Sequence, residues 1–196
     1  MAHPAFNPLL LVHAFGAGND EKIKDRRVCL RGERRMSEER SGSRIVTLVG
    51  VPFAKVGQEF IFLGGTRKCE DCRLRSTCLN LEEGRRYKVE SVREGIKHEC
   101  PLHEDGVCVV EVVEAEIEAA LEARKAVEGS KIVFEMPSCD EWTCDFYDLC
   151  HPAGLASGDK CTILSIFDIG KTCPLRGNLL KKVLLKRNSS GRRITN

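Results

Sequence analysis

The sequence predicts a mainly β protein (a β-rich α+β fold) that is built from two related small β modules, half-barrel or sandwich-like in form. Short runs of β-branched and apolar residues recur between glycine and proline turn signals, as is typical of strands. Most of the eleven cysteines fall into two blocks of similar spacing, and the residues between those cysteines correspond in sequence. This correspondence indicates an internal duplication, and each module is expected to hold one four-cysteine metal site.

The duplication is clearest inside the two cysteine blocks. Residues 81–92 align with residues 155–166 without a gap and share a Leu-x-x-Gly turn followed by a strand-like run. The spacing is C-x2-C-x5-C in the first block and C-x4-C-x5-C in the second, and a more distant Cys-Pro-Leu completes each set. The first quartet is Cys69, Cys72, Cys78 and Cys100, and the second quartet is Cys139, Cys144, Cys150 and Cys173.

Composition and repeat together divide the chain into four segments. Residues 1–43 form a charged leader without helical or strand periodicity, which we expect to be disordered or mis-annotated, with Met36 as an alternative start of translation. Residues 44–136 are the first β module with its four-cysteine site, and residues 137–187 are the second. Residues 188–196 form a basic tail.

Both modules are expected to consist of short strands joined by turns. The predicted strands are 44–50, 59–63, 86–92 and 107–113 in the first part of the chain, and 131–135, 161–167 and 179–185 in the second. Gly95 is expected to end the third of these strands. Residues 115–127 fit both a helical and a strand period, and we favour a strand because the flanking segments are β.

Composition restricts the partners that the chain can bind. The formal charge is +2, but residues 45–180 hold sixteen basic and twenty-three acidic residues, whereas residues 181–196 hold six basic residues and no acidic one. An acidic body does not attract a phosphate backbone as a whole, so RNA or a ribonucleoprotein is an expected partner only through local basic residues. No membrane partner is expected, because the apolar runs are too short to span a bilayer.

The layout of the cysteines bears on the metal that they would hold. Structural zinc sites usually use two short cysteine pairs, each on its own turn. A loop that supplies three ligands, with a distant fourth, suits a 4Fe-4S cluster better. We therefore expect a 4Fe-4S cluster in each module, with zinc as the first alternative and disulfides or free thiols as the second.

The remaining cysteines are not expected to bind metal. Cys161 aligns with Tyr87, a core-facing strand position, and Cys108 lies in the middle of a nearly apolar strand, where a thiol packs as a small hydrophobe. Cys29 lies in the charged leader.

Histidines and charges near the quartets give weaker signals. His151 follows Cys150, and His98 and His103 flank Cys100, where each could ligate a metal or bond a sulfur, although exposed turn histidines are commoner. Charges of opposite sign surround the two loops: Arg67, Lys68, Arg73, Arg75, Arg85 and Arg86 around the first, and Asp140, Glu141, Asp145 and Asp148 in the second. These charged residues either form solvated surfaces or contact partners. In the second case the two loops bind different partners or bind each other.

No catalytic residues can be assigned from the sequence. It contains no P-loop, no dinucleotide-binding glycine fingerprint and no nucleophile elbow, so the question of enzymatic activity stays open. We expect a metal-binding protein with a redox role or a structural binding role. The alternative is a zinc-stabilised module that binds RNA or a ribonucleoprotein without catalysis.

Several short motifs recur in a known family. They are Ile45-Val-Thr-Leu-Val-Gly50, Gly57-x-Glu59-Phe60, Cys69-x-x-Cys72, Leu81-Glu-x-Gly84-x-x-Tyr87-Lys88, Cys100-Pro-Leu-His103-Glu104, Cys150-x-Pro152-x-Gly154-Leu155 and Gly158-Asp-Lys160. On these motifs the chain, from about residue 44 to 187, resembles the archaeal group known as uncharacterised protein family 0179. The resemblance implies an archaeal, cytoplasmic protein and supplies no catalytic residues. The C-x2-C-x5-C triplet is also similar to the iron-sulfur segments of certain nucleases and radical enzymes.

Overall fold

The computed structural model describes residues 43–188, and two antiparallel four-stranded sheets form the framework of this region. The first sheet contains β1 (Ile45–Gly50), β2 (Glu59–Ile61), β3 (Arg86–Cys100) and β4 (His103–Glu114), in the order β1-β4-β3-β2. The second contains β5 (Ile117–Glu122), β6 (Lys131–Val133), β7 (Lys160–Thr172) and β8 (Leu179–Arg187), in the order β5-β8-β7-β6. The prediction of a mainly β protein is therefore confirmed.

Helical structure in the described residues is limited to single turns. Two short α-helices, α1 (Arg75–Cys78) and α2 (Tyr147–Cys150), lie between the second and third strands of their sheets. Three 3-10 turns occur at Val51–Phe53, Arg67–Cys69 and Ala123–Lys125. The ambiguous segment 115–127 contains the strand Ile117–Glu122, as predicted, because these residues pair with β8, and it continues into the 3-10 turn. None of the helices in the described part is long and apolar enough to cross a membrane.

The chain packs as two compact units, one ending at Glu114 and the other beginning at Ala115. The sequence repeat placed the module boundary at 136/137 instead. The boundaries differ because β5 pairs with β8 and β6 pairs with β7, so residues 115–136 belong to the second sheet. The predicted leader and basic tail lie outside the described residues, except for Ser43 and Asn188.

Each unit has its own core, formed by alternate residues of its strands. In the first unit Cys108, Val110 and Val112 are fully buried, and in the second unit Cys161 and Ile163 are fully buried. Residues two apart on a strand point to the same face, so these runs fill one side of each sheet. Burial of each large aliphatic side chain stabilises the fold by about 1.5–3 kcal/mol. The prediction that Cys108 and Cys161 lie in the core is confirmed, but Cys108 is disulfide-bonded and is not the free thiol that was expected.

The third strand of each sheet is longer than predicted. Gly95 does not end β3, which continues to Cys100 with a shift of register between Val92 and Lys97. The φ of Gly95 is 78°, a conformation that glycine adopts without a steric penalty, so the strand bends at this position and then resumes pairing. The prediction of a break at Gly95 was wrong because a bulge can absorb a turn-forming glycine inside a hairpin. The extension places Cys100 at the end of the hairpin.

Candidate metal centres

The first three cysteines of the first quartet lie on consecutive turns between β2 and β3. The backbone N–H of Cys69 donates to the Thr66 carbonyl at 2.9 Å, and that of Cys72 donates to the Cys69 carbonyl at 3.3 Å. Cys78 is the last residue of α1, and its N–H donates to the Leu74 carbonyl at 2.9 Å. These local hydrogen bonds fold the C-x2-C-x5-C segment back on itself, which brings its three cysteines into one short loop.

Buried polar side chains attach this loop to the first sheet. The Thr47 hydroxyl donates to the Thr77 carbonyl at 3.1 Å, and the Asn80 side-chain amide donates to the Val46 carbonyl at 2.8 Å. Thr47 is completely buried. A threonine in a β-branched run looks like an ordinary strand residue, so sequence reasoning missed its role as an anchor. The anchor fixes α1, and with it Cys78, against β1.

Cys100 approaches the other three cysteines of the first quartet from the end of β3. Burial, together with charge repulsion from the neighbouring Cys100, Cys72 and Cys69, raises the pKa of the Cys78 thiol to about 11. This repulsion requires the four sulfurs to lie near one another. Cys100 Sγ also lies 3.3 Å from Nδ1 of His103, whose pKa is lowered by burial.

The second quartet is arranged in a similar way. The N–H of Cys144 donates to the Glu141 carbonyl at 3.2 Å, and Cys150, the last residue of α2, donates to the Phe146 carbonyl at 2.9 Å. Cys173 lies in the turn after β7, where its N–H donates to the Asn178 carbonyl at 2.8 Å. The loop and the turn thus hold the four cysteines on two short, hydrogen-bonded segments.

One cavity in the second unit is lined by the whole second quartet. Its volume is ≈ 250 Å³, and apolar side chains form much of the remaining wall. Burial raises the pKa of Cys150 to about 11, and repulsion from the thiolates of the other three cysteines adds to the rise. The lining residues relevant here are Cys139, Cys144, Cys150, Cys173, Met136 and Leu175.

His151 lines the same cavity, but its ring is engaged elsewhere. Its Nδ1 lies 3.0 Å from the Tyr147 carbonyl, and its Nε2 lies 3.0 Å from the Pro137 carbonyl. The ring also stacks on Tyr147 with 4.1 Å between centroids, and Tyr147 contacts the exposed Trp142 at 4.8 Å. Both partners are carbonyl acceptors, so a neutral ring donates to one of them, and the donating nitrogen has no lone pair for a metal. His151 is thus positioned to brace the loop rather than to act as a ligand.

The thiols are gathered but are not closed around a metal. Among residues 43–188, no three Cys, His, Asp or Glu side chains stand in an arrangement that would hold a metal ion as they are placed. The raised pKa values of Cys78 and Cys150 describe protonated thiols, whereas a metal binds thiolates. Coordination would require each quartet to lose protons and contract, so the eight predicted ligands stay a prediction.

The family of the chain follows from comparison with known proteins. The model of the Uncharacterised protein family (UPF0179) matches residues 45–185, the region that contains both sheets and both quartets. The chain belongs to this family. The predicted resemblance to an archaeal family is therefore confirmed.

Several UPF0179 proteins from archaea are similar over most of their length. The protein of Methanosarcina acetivorans is 49% identical over 140 residues, which cover 71% of this chain and 94% of the relative. The protein of Archaeoglobus fulgidus is 50% identical over 117 residues, or 60% of this chain and 76% of the relative. The protein of Methanocaldococcus jannaschii is 42% identical over 142 residues, or 72% and 93%. No solved structure matches the chain.

Proposed function

We propose that this UPF0179 protein binds two metal centres, one in each of two duplicated β modules, through its two cysteine quartets. The single observation that carries the proposal is that three cysteines of one loop, Cys139, Cys144 and Cys150, line one cavity together with Cys173 of a separate turn. Several thiolates brought together repel one another unless a cation compensates their charge. None of the four is in a disulfide, so a bound metal would account for their gathering as thiolates.

Matching hydrogen bonds support the duplication. In the first unit Phe62 donates to the Arg85 carbonyl at 2.9 Å, and Gly84 donates to the Phe62 carbonyl at 2.7 Å. In the second unit Phe134 donates to the Asp159 carbonyl at 2.7 Å, and Gly158 donates to the Phe134 carbonyl at 2.8 Å. Both sheets have the same strand order, and in both the third cysteine ends a one-turn helix. One ancestral module, copied once, explains all these correspondences.

A 4Fe-4S cluster in each centre is the form that we favour. Three ligands on one loop and a fourth on a separate turn match the way in which a loop encloses one side of such a cluster. The cavity at the second quartet has a largely apolar wall, which limits the access of solvent and influences the reduction potential. When bound, such a cluster supplies one-electron transfer or a rigid cross-link. The protein's own part is to present eight thiolates and to exclude water.

The first loop supports a second candidate function. Arg67, Lys68, Arg73 and Arg75 are exposed, and none of them forms an ion pair within the described residues. Basic side chains of this kind on a braced loop are suited to phosphate contacts. The alternative function is therefore a zinc-stabilised module that binds RNA or a ribonucleoprotein through this loop, without catalysis.

Metal analysis after anaerobic purification tests the proposal directly. Equal amounts of iron and acid-labile sulfide, in quantities for two clusters per chain, together with broad visible absorbance, are the expected result. A colourless protein with two zinc ions per chain would exclude electron transfer and favour the alternative function. A protein that retains no metal after purification and reconstitution would refute both.

A further inference from the structure

The two units differ at one position beside the fourth cysteine. The turn reads Cys-Pro-Leu-His in the first unit and Cys-Pro-Leu-Arg in the second, so His103 and Arg176 correspond. Nδ1 of His103 contacts Cys100 Sγ at 3.3 Å. Arg176 instead donates to the Ser138 carbonyl at 3.4 Å and lines the cavity that contains the second quartet.

A second pair of corresponding positions differs in a matching way. Gly50 is the last residue of β1, and Glu122 is the last residue of β5. A Cβ atom on Gly50 would lie 2.6 Å from Cδ2 of His103, and the three nearest atoms all belong to that ring. Gly50 has φ −54° and ψ 141°, which any residue adopts, so space for His103 is what favours glycine here.

The corresponding carboxylate in the second unit has polar and basic neighbours. Glu122 accepts a hydrogen bond from the Asn178 side-chain amide at 3.2 Å. The pKa of Glu122 is lowered chiefly by its hydrogen bond with Arg124, and the charges of Lys125 and Arg176 contribute. The first unit thus combines glycine with a ring that touches a ligand sulfur, whereas the second combines a carboxylate with a cation.

We propose that His103, seated over Gly50, donates a hydrogen bond to the Cys100 sulfur of the first metal centre, whereas Arg176 supplies a positive charge to the second. The two centres are therefore chemically distinct. This inference rests on the proposed metal-binding function, and His103 and Arg176 are positioning residues in it. A neutral imidazole has one N–H, and an N–H on Nδ1 would point at the Cys100 sulfur 3.3 Å away.

The proposal predicts different effects of the two residues on reduction potential. A hydrogen bond to a ligand sulfur and a nearby cation both stabilise the more negative, reduced form of a cluster. A redox titration of the intact holoprotein should show two transitions, one for each cluster. His103→Leu should lower the midpoint potential of one transition, and Arg176→Leu should lower that of the other. His103→Asn should restore part of the first shift, because its amide can place an N–H near the position of Nδ1.

Gly50→Ala provides a test in which residue 103 is still histidine. The added methyl group should displace the His103 ring and lower the same midpoint potential that His103→Leu lowers. The double variant Gly50→Ala/His103→Ala should have the same midpoint potential for this transition as His103→Ala alone. If the two changes shift the midpoint potential additively, or if Gly50→Ala leaves it unchanged, the proposed packing of the His103 ring against Gly50 is wrong.

The outcomes separate this inference from the function on which it rests. The inference alone would be overturned if the protein binds two metal centres but neither midpoint potential changes in His103→Leu. The same holds if His103→Leu and Arg176→Leu change both potentials equally. A chain that binds no metal would overturn the proposed function as well. If the metal is zinc, His103→Leu should accelerate release of one of two ions to a chelator by about 10- to 100-fold, and Arg176→Leu should accelerate release of the other. Unchanged release would overturn the inference.

Discussion

The two units share a backbone framework, and their cysteine loops differ in the side chains that they expose. In the first unit Gly57 and Gln58 exchange backbone hydrogen bonds with Val89, and in the second unit Gly129 and Ser130 do the same with Ile163. On this common framework the first loop exposes basic residues, whereas the second exposes acidic residues and Trp142. The acidic set is Asp140, Glu141, Asp145 and Asp148.

The comparison shows which parts of a module are constrained. Backbone groups in the loops must be hydrogen-bonded wherever they are buried, so the pattern of turns that carries the cysteines tolerates little change. Exposed side chains have no such requirement, and their charge can reverse at little cost in stability. The framework should therefore determine whether a quartet forms, and the surface should determine what each module contacts.

The largest expected effect is the loss of one centre at a time. If the quartets bind metal as proposed, Cys78→Ser should remove the metal of the first unit and Cys150→Ser that of the second, because each change leaves its quartet with three thiolate ligands. Each variant should retain half of the wild-type metal, measured by elemental analysis of the purified protein.

A buried cysteine outside the quartets provides the control. Cys161 is completely buried, and its sulfur lies 3.8 Å from the Asp159 carbonyl, so Cys161→Ala should keep the full metal content despite lower stability. If Cys150→Ser removed the metal from both sites, the two centres would not be independent. If Cys161→Ala removed the metal from either site, the quartets would not be the complete set of cysteines on which binding depends.

The next effect should appear in the second loop alone. His151 corresponds to Leu79, since the N–H of each closes its one-turn helix onto the residue four positions earlier. His151→Leu would remove the one hydrogen bond that a neutral imidazole can donate to the Tyr147 or Pro137 carbonyl, together with the stacking on Tyr147, at a cost of roughly 2 kcal/mol in total. Chemical denaturation should show this loss at unchanged metal content. Loss of the second metal would instead make His151 a ligand.

A smaller effect should be confined to the first loop. Thr47→Val keeps the shape of the side chain but removes its hydrogen bond to the Thr77 carbonyl, at a cost of roughly 1 kcal/mol. The corresponding residue of β5 is Ala119, which has no hydroxyl, so the second loop lacks this anchor. Thr47→Ser keeps the hydroxyl and is the control. Equal denaturation midpoints for the valine and serine variants would argue against an anchoring role.

The sequence predicted the strands better than the boundary between the units. β-branched runs such as residues 45–50 mark strands by composition, and all the predicted strands are present. The boundary was harder because β1 reads Ile-Val-Thr-Leu-Val-Gly and β5 reads Ile-Glu-Ala-Ala-Leu-Glu, which share too little for an alignment to extend the repeat. Pairing across a sheet restores that correspondence, but only in three dimensions.

For the candidate sites, the spacing of the cysteines predicts two quartets but gives no information about the side chains around them. Each cysteine triplet and each Cys-Pro-Leu turn can be recognised from a short stretch of sequence. Together these motifs predict which cysteines belong to the same quartet. The contact of His103 with Cys100, and the need for Gly50 beneath that ring, join segments far apart in the chain. No pattern within either segment reports such packing, so these features required the structure.

The smallest expected effect concerns the exposed charges and tests the alternative function. If the first loop binds single-stranded RNA, Arg73→Gln combined with Arg75→Gln should reduce the slope of log Kobs against log salt by roughly 0.7 for each phosphate that no longer pairs with an arginine. Asp145→Asn combined with Asp148→Asn is the matched change in the second loop and should not reduce the slope. Binding titrations at several salt concentrations measure both. Equal slopes for all three proteins would mean that the opposite charges of the two loops do not select between RNA and other partners, and the basic loop would then be only a solvated face.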